Sequence, residues 1–287
     1  MENDNGPAPV DSTRNWLLTL AYKGTAYAGW QIQPGSATIQ GKLEDALSDL
    51  FGSPIRVSGC SRTDAGVHAL DQRATLRLPL TPSISPENTL RALNGRLPDD
   101  IHIIAIDEMP PEFHARYNAV GKAYTYVIHV GDMVSPFLRD CCWQVRHELN
   151  PAAMERTAGM LIGTHDFTTF SAAGSTPDQD PVKTLDRIPM ERVGSFLMII
   201  VIGDSFLYKM VRRLVGYLVE VGRGRLDCGD APHLLEARDR NVGFDTAPAA
   251  GLFLDRVFYN ETEFCDYLPQ QLPFLRLSDL PPFQSIA

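Results

Sequence analysis

The sequence predicts an α+β fold of two ferredoxin-like halves, with mostly antiparallel sheets joined into one extended sheet around a central cleft. Two observations support this prediction. The element order β-α-β-β-α-β is predicted over residues 16–107, and the same order with one added helix is predicted again over residues 122–259. That order is the ferredoxin-like split βαβ, in which both helices cover one face of an antiparallel sheet. Two such units can join sheet edge to sheet edge and leave a cleft between them.

Local patterns define the elements of the first half. Apolar residues alternate with their neighbours in the strands, and they recur at three- and four-residue spacing in the helices. Thr38 is a suitable N-cap, and Ser85 followed by Pro86 marks a helix start. The predicted elements are a strand at 16–22, a loop at 24–35, a helix after Thr38, strands near 54–60 and 70–78, a helix from Ser85 and a strand at 101–107.

The second half follows the same rules. Asn150 and Pro151 begin a helix, and residues 193–194 form a turn between two strands. The predicted elements are a strand at 122–130, a helix from Asn150, strands at about 183–192 and 195–203, helices at about 206–222 and 230–240, and a strand at 252–259.

The chain is accordingly divided into four segments. Residues 1–14, rich in Pro, Asn and Asp, are expected to be a disordered tail. Residues 15–115 form the first half and residues 116–262 the second. Residues 263–287 are a C-terminal extension.

Composition excludes several classes of protein. With 287 residues, 44% hydrophobic and 21% charged, the chain resembles an ordinary soluble globular protein. The N-terminus lacks the features of a secretion signal, and no apolar stretch is long enough to span a bilayer. The five cysteines form no CxxC pair, which favours a reduced, cytoplasmic location without a membrane partner.

Charge is unevenly distributed along the chain. The net charge of −9 argues against nucleic-acid binding through bulk electrostatics. However, residues 206–226 hold five basic residues against Glu220 alone, a local charge of +4. A basic face can therefore exist on an acidic protein, although from this segment alone a solvated helix face is the better explanation.

The sequence also lacks the usual cofactor motifs. Neither GxxxxGK[ST] nor GxGxxG after a strand is present, and neither HExxH nor the zinc deaminase pattern occurs. The seven histidines are scattered, and GxSxG is missing. We therefore expect no metal, no nucleotide cofactor and no serine nucleophile.

Asp64 is the strongest candidate for chemistry. It lies in SRTDAGVHA, between two predicted strands, where a loop makes its carboxylate available to a ligand. Gly59 and Gly66 bracket the turn and permit unusual backbone conformations. Arg62 could approach a phosphate or the carboxylate itself. The alternative is an Asx-turn, in which Asp64 only caps its own loop.

Two further candidates come from the second half. Tyr124 and Tyr126 lie two apart on a predicted strand, so both rings project from one sheet face. They could stack on a base, but aromatic residues in this position more often fill a core. Arg212 falls off the apolar face of the 206–222 helix. Such an arginine is usually solvated, or it offers a cation to a carboxylate in a cleft.

Together these segments resemble the TruA family of tRNA pseudouridine synthases. The resemblance runs from about Trp16 to Tyr259 and includes AYKGTAYAGWQ, SRTDAGVHA, NGRLPDDI, FHARYNAVGKAYTY, GTHDFTTF, FLYKMVRRLVGYLVEVG and APAAGLFLDRVFY. It implies the pseudouridine synthase fold and a cofactor-free isomerisation of uridine in the anticodon arm of tRNA, at positions 38 to 40. It also implies a homodimer.

The resemblance assigns roles to four residues. Asp64 corresponds to the catalytic aspartate, and Arg212 to an active-site arginine that pairs with it. Tyr124 corresponds to the tyrosine that stacks on the target uracil. Arg62 corresponds to the arginine that holds the RNA while the base is turned out.

Other parts of the chain have less certain assignments. His68 and Gln72 match the motif neighbourhood without an assigned role, and Arg213 is expected to serve RNA binding more than chemistry. The insert at 171–183 and the C-terminal extension have no assigned function. Two alternative functions are a non-catalytic RNA-binding module and a synthase acting at other RNA positions, although no RNP motif is present.

Overall fold

The computed structural model describes residues 13–79, 84–172, 180–269 and 271–276. Within these ranges the chain forms eleven strands and seven α-helices. The strands are β1 (Thr13–Tyr22), β2 (Val57–Gly59), β3 (His68–Pro79), β4 (Ile101–Met109), β5 (Gly121–Val130), β6 (Trp143–Val145), β7 (Gly163–Asp166), β8 (Val182–Arg187), β9 (Met190–Val193), β10 (Phe196–Gly203) and β11 (Leu252–Phe258). The helices are α1 (Ile39–Phe51), α2 (Pro86–Asn94), α3 (Pro151–Met160), α4 (Met210–Gly222), α5 (Ala231–Ala237), α6 (Glu261–Asp266) and α7 (Pro273–Arg276).

The strands form one continuous sheet in the order β4-β1-β3-β11-β5-β10-β8-β7, with β2 beside β3, β6 beside β5 and β9 beside β10. The first half contributes β4-β1-β3-β2, and the second contributes β11-β5-β10 followed by β8 and β9. In each half the first and third strands are therefore central, as the split βαβ order requires. The predicted fold of two ferredoxin-like halves in one extended sheet is confirmed.

The two halves meet where β3 pairs with β11 in parallel, through His68 opposite Phe253 and Ala69 opposite Leu254. This ladder is short. Asp71 extends it with its side chain, because its Oδ2 atom accepts a hydrogen bond from the Val257 amide at 2.8 Å. The residues that begin β3 therefore lie at the junction of the two halves, directly after the Asp64 loop.

The main hydrophobic core lies on one face of the sheet, under the helices. Its helical members include Leu43 of α1, Leu93 of α2, Met154 of α3 and Leu214 of α4, all fully buried. A second, smaller cluster lies around Ala123, Val127, Met198, Ile200 and Phe253, whose side chains alternate with those of the main core along the strands. Phe264, Tyr267 and Phe274, all from the end of the chain, pack against this second cluster.

The predicted helix caps are confirmed. The side chains of Thr38, Ser85 and Asn150 accept hydrogen bonds from backbone amides in the first turns of α1, α2 and α3. Each cap pairs an N–H group that the helix itself leaves without a partner.

Two predicted elements differ from the structure. The helix predicted over 206–222 begins only at Met210, because Lys209 has a positive φ of 58° and stops the helix from extending toward the N-terminus. The strand predicted over 183–192 is divided into β8 and β9 at Pro189, whose ring nitrogen has no hydrogen to donate to a ladder. The short strands β6 and β7 were not predicted.

The division of the chain into 1–14, 15–115, 116–262 and 263–287 stays a prediction. The last boundary falls inside α6. Residues 1–12, 173–179 and 277–287, which belong to the predicted tail, the insert and the extension, lie outside the described residues. Within the described ranges, no helix combines the length and the apolarity needed to cross a bilayer.

Candidate active site

A cleft of about 920 Å³ opens at the junction of the two halves. The first half contributes residues 57–64, Val67 and His114, and the loop that leads into β5 adds Arg116 and Tyr117 from the second half. The second half contributes Tyr124 and residues 204–212. All four predicted site residues, Asp64, Arg212, Tyr124 and Arg62, line this one cleft.

Residues 61–67, here called the aspartate loop, connect β2 to β3. A backbone hydrogen bond from Val67 N to Asp64 O, 3.1 Å long, closes its turn. Gly66 adopts a φ of 78°, as the sequence led us to expect. Gly59 has another role, because a Cβ atom there would lie 2.5 Å from the Trp30 indole. The Asx-turn alternative for Asp64 is not supported, because the Gly66 amide, which would donate to the Asp64 side chain in such a turn, donates to the Tyr27 carbonyl at 3.3 Å.

The side chain of Gln72, fully buried on β3, holds the start of the aspartate loop. Its Oε1 atom accepts a hydrogen bond from the Ser61 amide at 3.2 Å, and its Nε2 atom donates to the Ser61 carbonyl at 2.7 Å. Nε2 also lies 3.3 Å from the Tyr22 hydroxyl, which in turn lies 2.8 Å from the Thr63 hydroxyl. The residues on both sides of Arg62 are thus tied to the sheet.

Asp64 forms an ion pair with Arg212. The Nη1 atom of Arg212 donates to Oδ2 of Asp64 at 2.8 Å, and the two side chains are only 14% and 13% exposed. In such a partly dehydrated site the pairing is stronger than on an open surface. It links a carboxylate from the first half to a cation from the second, so the site requires both halves.

Two hydrogen bonds to Ala247, one from the Arg212 side chain and one to the Arg212 carbonyl, hold Arg212 in place. Its Nε atom donates to the Ala247 carbonyl at 2.8 Å, and its own carbonyl accepts from the Ala247 amide at 3.1 Å. Gly216, one turn further along α4, permits the close approach of this segment, since a Cβ atom would lie 1.9 Å from the Asp245 carbonyl oxygen. Arg212 lies in the first turn of α4, where the positive end of the helix dipole also favours an anion.

Tyr124 lies on the central strand β5, paired with Leu254 of β11 and Val201 of β10. Its ring is 8% exposed and packs edge-on against Phe206, with the ring centroids 5.1 Å apart. Burial raises the pKa of its phenol well above the usual value of 10. The phenol is therefore protonated and can donate a hydrogen bond. Tyr126 is fully buried and does not line the cleft; its hydroxyl donates a hydrogen bond to the Pro248 carbonyl at 2.7 Å.

The cleft is basic although the whole chain is acidic. Seven charged residues line it: Arg62, Arg116, Lys122, Lys209, Arg212, Asp64 and Asp204. Five are basic and two are acidic, which leaves a local charge of +3. The Arg62 side chain is exposed, and none of the described residues forms a hydrogen bond or ion pair with it. An exposed cation beside Asp64 could bind a phosphate.

The predicted +4 segment, residues 206–226, accounts for only part of the charge of the cleft. The expectation that Arg213 serves RNA binding was wrong. Arg213 is 8% exposed, and its Nη2 atom donates to the carbonyls of Thr169, Arg240 and Val242. Its guanidinium also lies over the ring of Phe244, 4.7 Å from the centroid. Arg213 therefore stabilises the fold and does not face the cleft. Arg223 and Arg225 both pair with Glu220, near the other end of α4.

His68 connects the aspartate loop to both halves. Its Nδ1 atom accepts from the Gly24 amide at 3.1 Å, and its Nε2 atom lies 2.7 Å from the Asp140 carbonyl and 3.2 Å from that of Ala250. Burial lowers its pKa, so the neutral ring is favoured. Sequence reasoning left His68 and Gln72 without a role and missed Tyr22, because these contacts bridge distant parts of the chain.

The duplicated ferredoxin-like sheet, with an aspartate–arginine pair in a basic cleft at its junction, defines a pseudouridine synthase fold. A family model described as tRNA pseudouridine synthase matches residues 19–118 and 157–260. Proteins named tRNA pseudouridine synthase A from Geobacillus sp. (strain WCH70) and Acetivibrio thermocellus are 41% identical to this chain over 243 and 247 residues. These matches cover 84% and 86% of this chain and 97% and 100% of the relatives. A protein of the same name from Ruminiclostridium cellulolyticum is 42% identical over 247 residues, 86% of this chain and 100% of its own.

The chain belongs to the TruA family of tRNA pseudouridine synthases, and it is an enzyme of the isomerase class. The resemblance noted in the sequence is confirmed.

Proposed function

We propose that this protein isomerises uridine to pseudouridine at positions 38 to 40 of the tRNA anticodon stem-loop, with Asp64 as the catalytic carboxylate. The observation that carries the proposal is the Asp64–Arg212 ion pair, 2.8 Å long, inside a basic cleft. The names of the relatives support the substrate, tRNA.

The reaction exchanges one bond of the base for another. The N1–C1′ glycosidic bond breaks, the uracil turns, and C5 bonds to C1′; C5 then loses its proton and N1 gains one. No atom enters or leaves overall, so the chemistry requires no co-reactant. Asp64 starts the reaction either by attacking C1′ or by removing a proton at C2′. Both routes require a carboxylate held in a fixed orientation, and the 2.8 Å hydrogen bond from Arg212 orients that of Asp64.

Two other residues prepare the nucleotide. In a folded RNA, C1′ of the target is reached only after the nucleotide turns out of its stack. Arg62, exposed and without a protein partner among the described residues, would hold the RNA in that state. Tyr124, deep in the same cleft, would stack on the uracil and so offset part of the lost base stacking.

The proposal includes a homodimer in the cytoplasm. Family resemblance supports the dimer, and the five cysteines, all within the described ranges, are free thiols as a reducing compartment requires. Light scattering tests the mass. A stable monomer with full activity would contradict this part of the proposal.

Tritium release from tRNA labelled at C5 of uridine tests the proposed reaction. The purified chain should release tritium without added nucleotide, and release should continue after exhaustive chelation once the magnesium that tRNA itself needs is restored. A zinc requirement, or no release from any tRNA, would contradict the proposal.

The hydrogen bonds of Gln72 make it a positioning residue in this account. Gln72→Leu should lower kcat by about tenfold to a hundredfold, because the aspartate loop loses two hydrogen bonds that fix its geometry. KM for tRNA should change less than about threefold, and Gln72→Glu should recover part of the loss, since a protonated carboxyl group can still accept from the Ser61 amide and donate to the Ser61 carbonyl. An equal loss in all Gln72 variants, in step with thermal stability, would indicate a purely structural role.

A further inference from the structure

We propose that Tyr117 is a stacking platform for a second nucleobase of the substrate RNA, a neighbour of the target uridine. This inference rests on the proposed function, because it requires that RNA enters the cleft. Three observations carry it: the exposure of the ring, its position in the cleft, and the rigidity of the loop that presents it.

Tyr117 is 78% exposed, yet it lines the same cleft as Asp64. A ring so exposed contributes little to folding, so its packing does not explain it. Exposure alone does not indicate a role in RNA binding, since Phe137 is 91% exposed and does not line the cleft. Position distinguishes the two rings.

Two side chains beside the Tyr117 ring also favour the stacking of a base. The ring of His114 lies beside it with the centroids 4.5 Å apart, and the guanidinium of Arg116 lies 6.0 Å from its centroid. Aromatic rings with a neighbouring cation bind the faces of nucleobases and the adjoining phosphates. This arrangement fits an unpaired or splayed nucleotide of RNA.

The loop that holds Tyr117, residues 113–118, is fixed before any substrate binds. The amide of His114 donates to Oδ1 of Asn118 at 2.8 Å, and the Asn118 amide donates back to the His114 carbonyl at 3.1 Å. Between them, Ala115 is fully buried, and its carbonyl accepts from the Tyr259 hydroxyl at 2.8 Å. A rigid exposed ring loses little conformational entropy on binding, which favours a binding role.

The different exposures of Tyr117 and Tyr124 suit them to different bases. Tyr124 is 8% exposed and therefore lies deep in the cleft, whereas Tyr117 lies at its mouth. When the target nucleotide turns out of its stack, the neighbouring bases lose a stacking partner. Tyr117 would supply a replacement for one of them.

Binding of a labelled anticodon-arm RNA tests the platform. The RNA is first incubated with wild-type enzyme until its pseudouridine content no longer changes. Every variant is then titrated with the same RNA species. Tyr117→Leu should weaken binding about tenfold, or ~1.4 kcal/mol, whereas Tyr117→Phe should bind within about twofold of wild type. Phe137→Leu, the matched control outside the cleft, should also stay within about twofold.

The salt dependence of binding, and RNAs that carry an abasic nucleotide, test the platform further. Because the Tyr117 ring carries no charge, Tyr117→Leu should leave the slope of log affinity against log salt unchanged, whereas Arg116→Gln should reduce it by about one. An abasic nucleotide beside the target should cost the wild type about tenfold and Tyr117→Leu almost nothing. If the losses from Tyr117→Leu and from an abasic nucleotide simply added at every nucleotide tested, or if Tyr117→Leu left binding unchanged, the platform would be overturned. The proposed isomerisation would remain intact. A wild-type chain that binds neither this RNA nor the whole tRNA would overturn both.

Discussion

Asp64→Asn should lower the rate of pseudouridine formation by at least about 10⁴-fold, the order of magnitude found when a catalytic nucleophile or its base is removed. Asparagine has nearly the shape of aspartate, and its amide oxygen can still accept the hydrogen bond from Arg212. It cannot attack C1′ or remove a proton. The affinity for tRNA should stay within about threefold of wild type, and the rate is measured by tritium release under single-turnover conditions.

Asp204→Asn is the matched control for that experiment. Asp204 lines the same cleft, but its carboxylate accepts hydrogen bonds from the Thr184 amide and the Ser205 hydroxyl. This variant also removes one negative charge from the cleft, and it should keep its activity within about threefold. Full activity in Asp64→Asn, or an equal loss in Asp204→Asn, would refute the role given to Asp64.

Arg212→Met should lower kcat by about 10²- to 10³-fold, because Asp64 loses the cation that orients it in a site shielded from water. The methionine side chain replaces the apolar stem of the arginine but makes neither the bond to Asp64 nor the bond to the Ala247 carbonyl. The KM for tRNA should change much less than kcat. Arg212→Lys, which keeps the charge but not the two-sided hydrogen bonding, should fall between Arg212→Met and wild type.

Arg213→Met separates chemistry from stability. It leaves the Thr169, Arg240 and Val242 carbonyls without this donor, so the free energy of unfolding should fall by about 2–4 kcal/mol. The kcat of the folded protein should stay within about threefold, as urea unfolding and activity assays on the same preparation would show. If Arg213→Met instead abolished turnover and Arg212→Met only lowered stability, the assigned roles would be reversed.

Much of the fold could be predicted because its signals are local. The caps at Thr38, Ser85 and Asn150 and the alternating strands need only a few neighbouring residues to be read. The start of α4 could not be predicted, because nothing in the sequence FLYKM (residues 206–210) indicates that Lys209 adopts a positive φ. That difference matters for the site, since residues 206–209 become a loop that lines the cleft.

The residues that line the candidate site were predictable from the sequence, and their arrangement was less so. The motif around Asp64 indicated the carboxylate, and the KMVRR motif indicated an arginine. The resemblance indicated Arg212 as the partner of Asp64, but the sequence reasoning missed that its neighbour Arg213, one position along the helix, is buried. The contacts of Gln72 and Tyr22 with the aspartate loop also depend on tertiary structure.

The most direct test of the central claim is to map pseudouridine, nucleotide by nucleotide, in tRNA from cells that lack this protein and from the same cells supplied with wild type or Asp64→Asn. We expect pseudouridine at positions 38 to 40 to disappear without the protein, to return with wild type and to stay absent with Asp64→Asn, while pseudouridine elsewhere is unchanged. Unaltered modification at positions 38 to 40, or restoration by Asp64→Asn, would contradict the account.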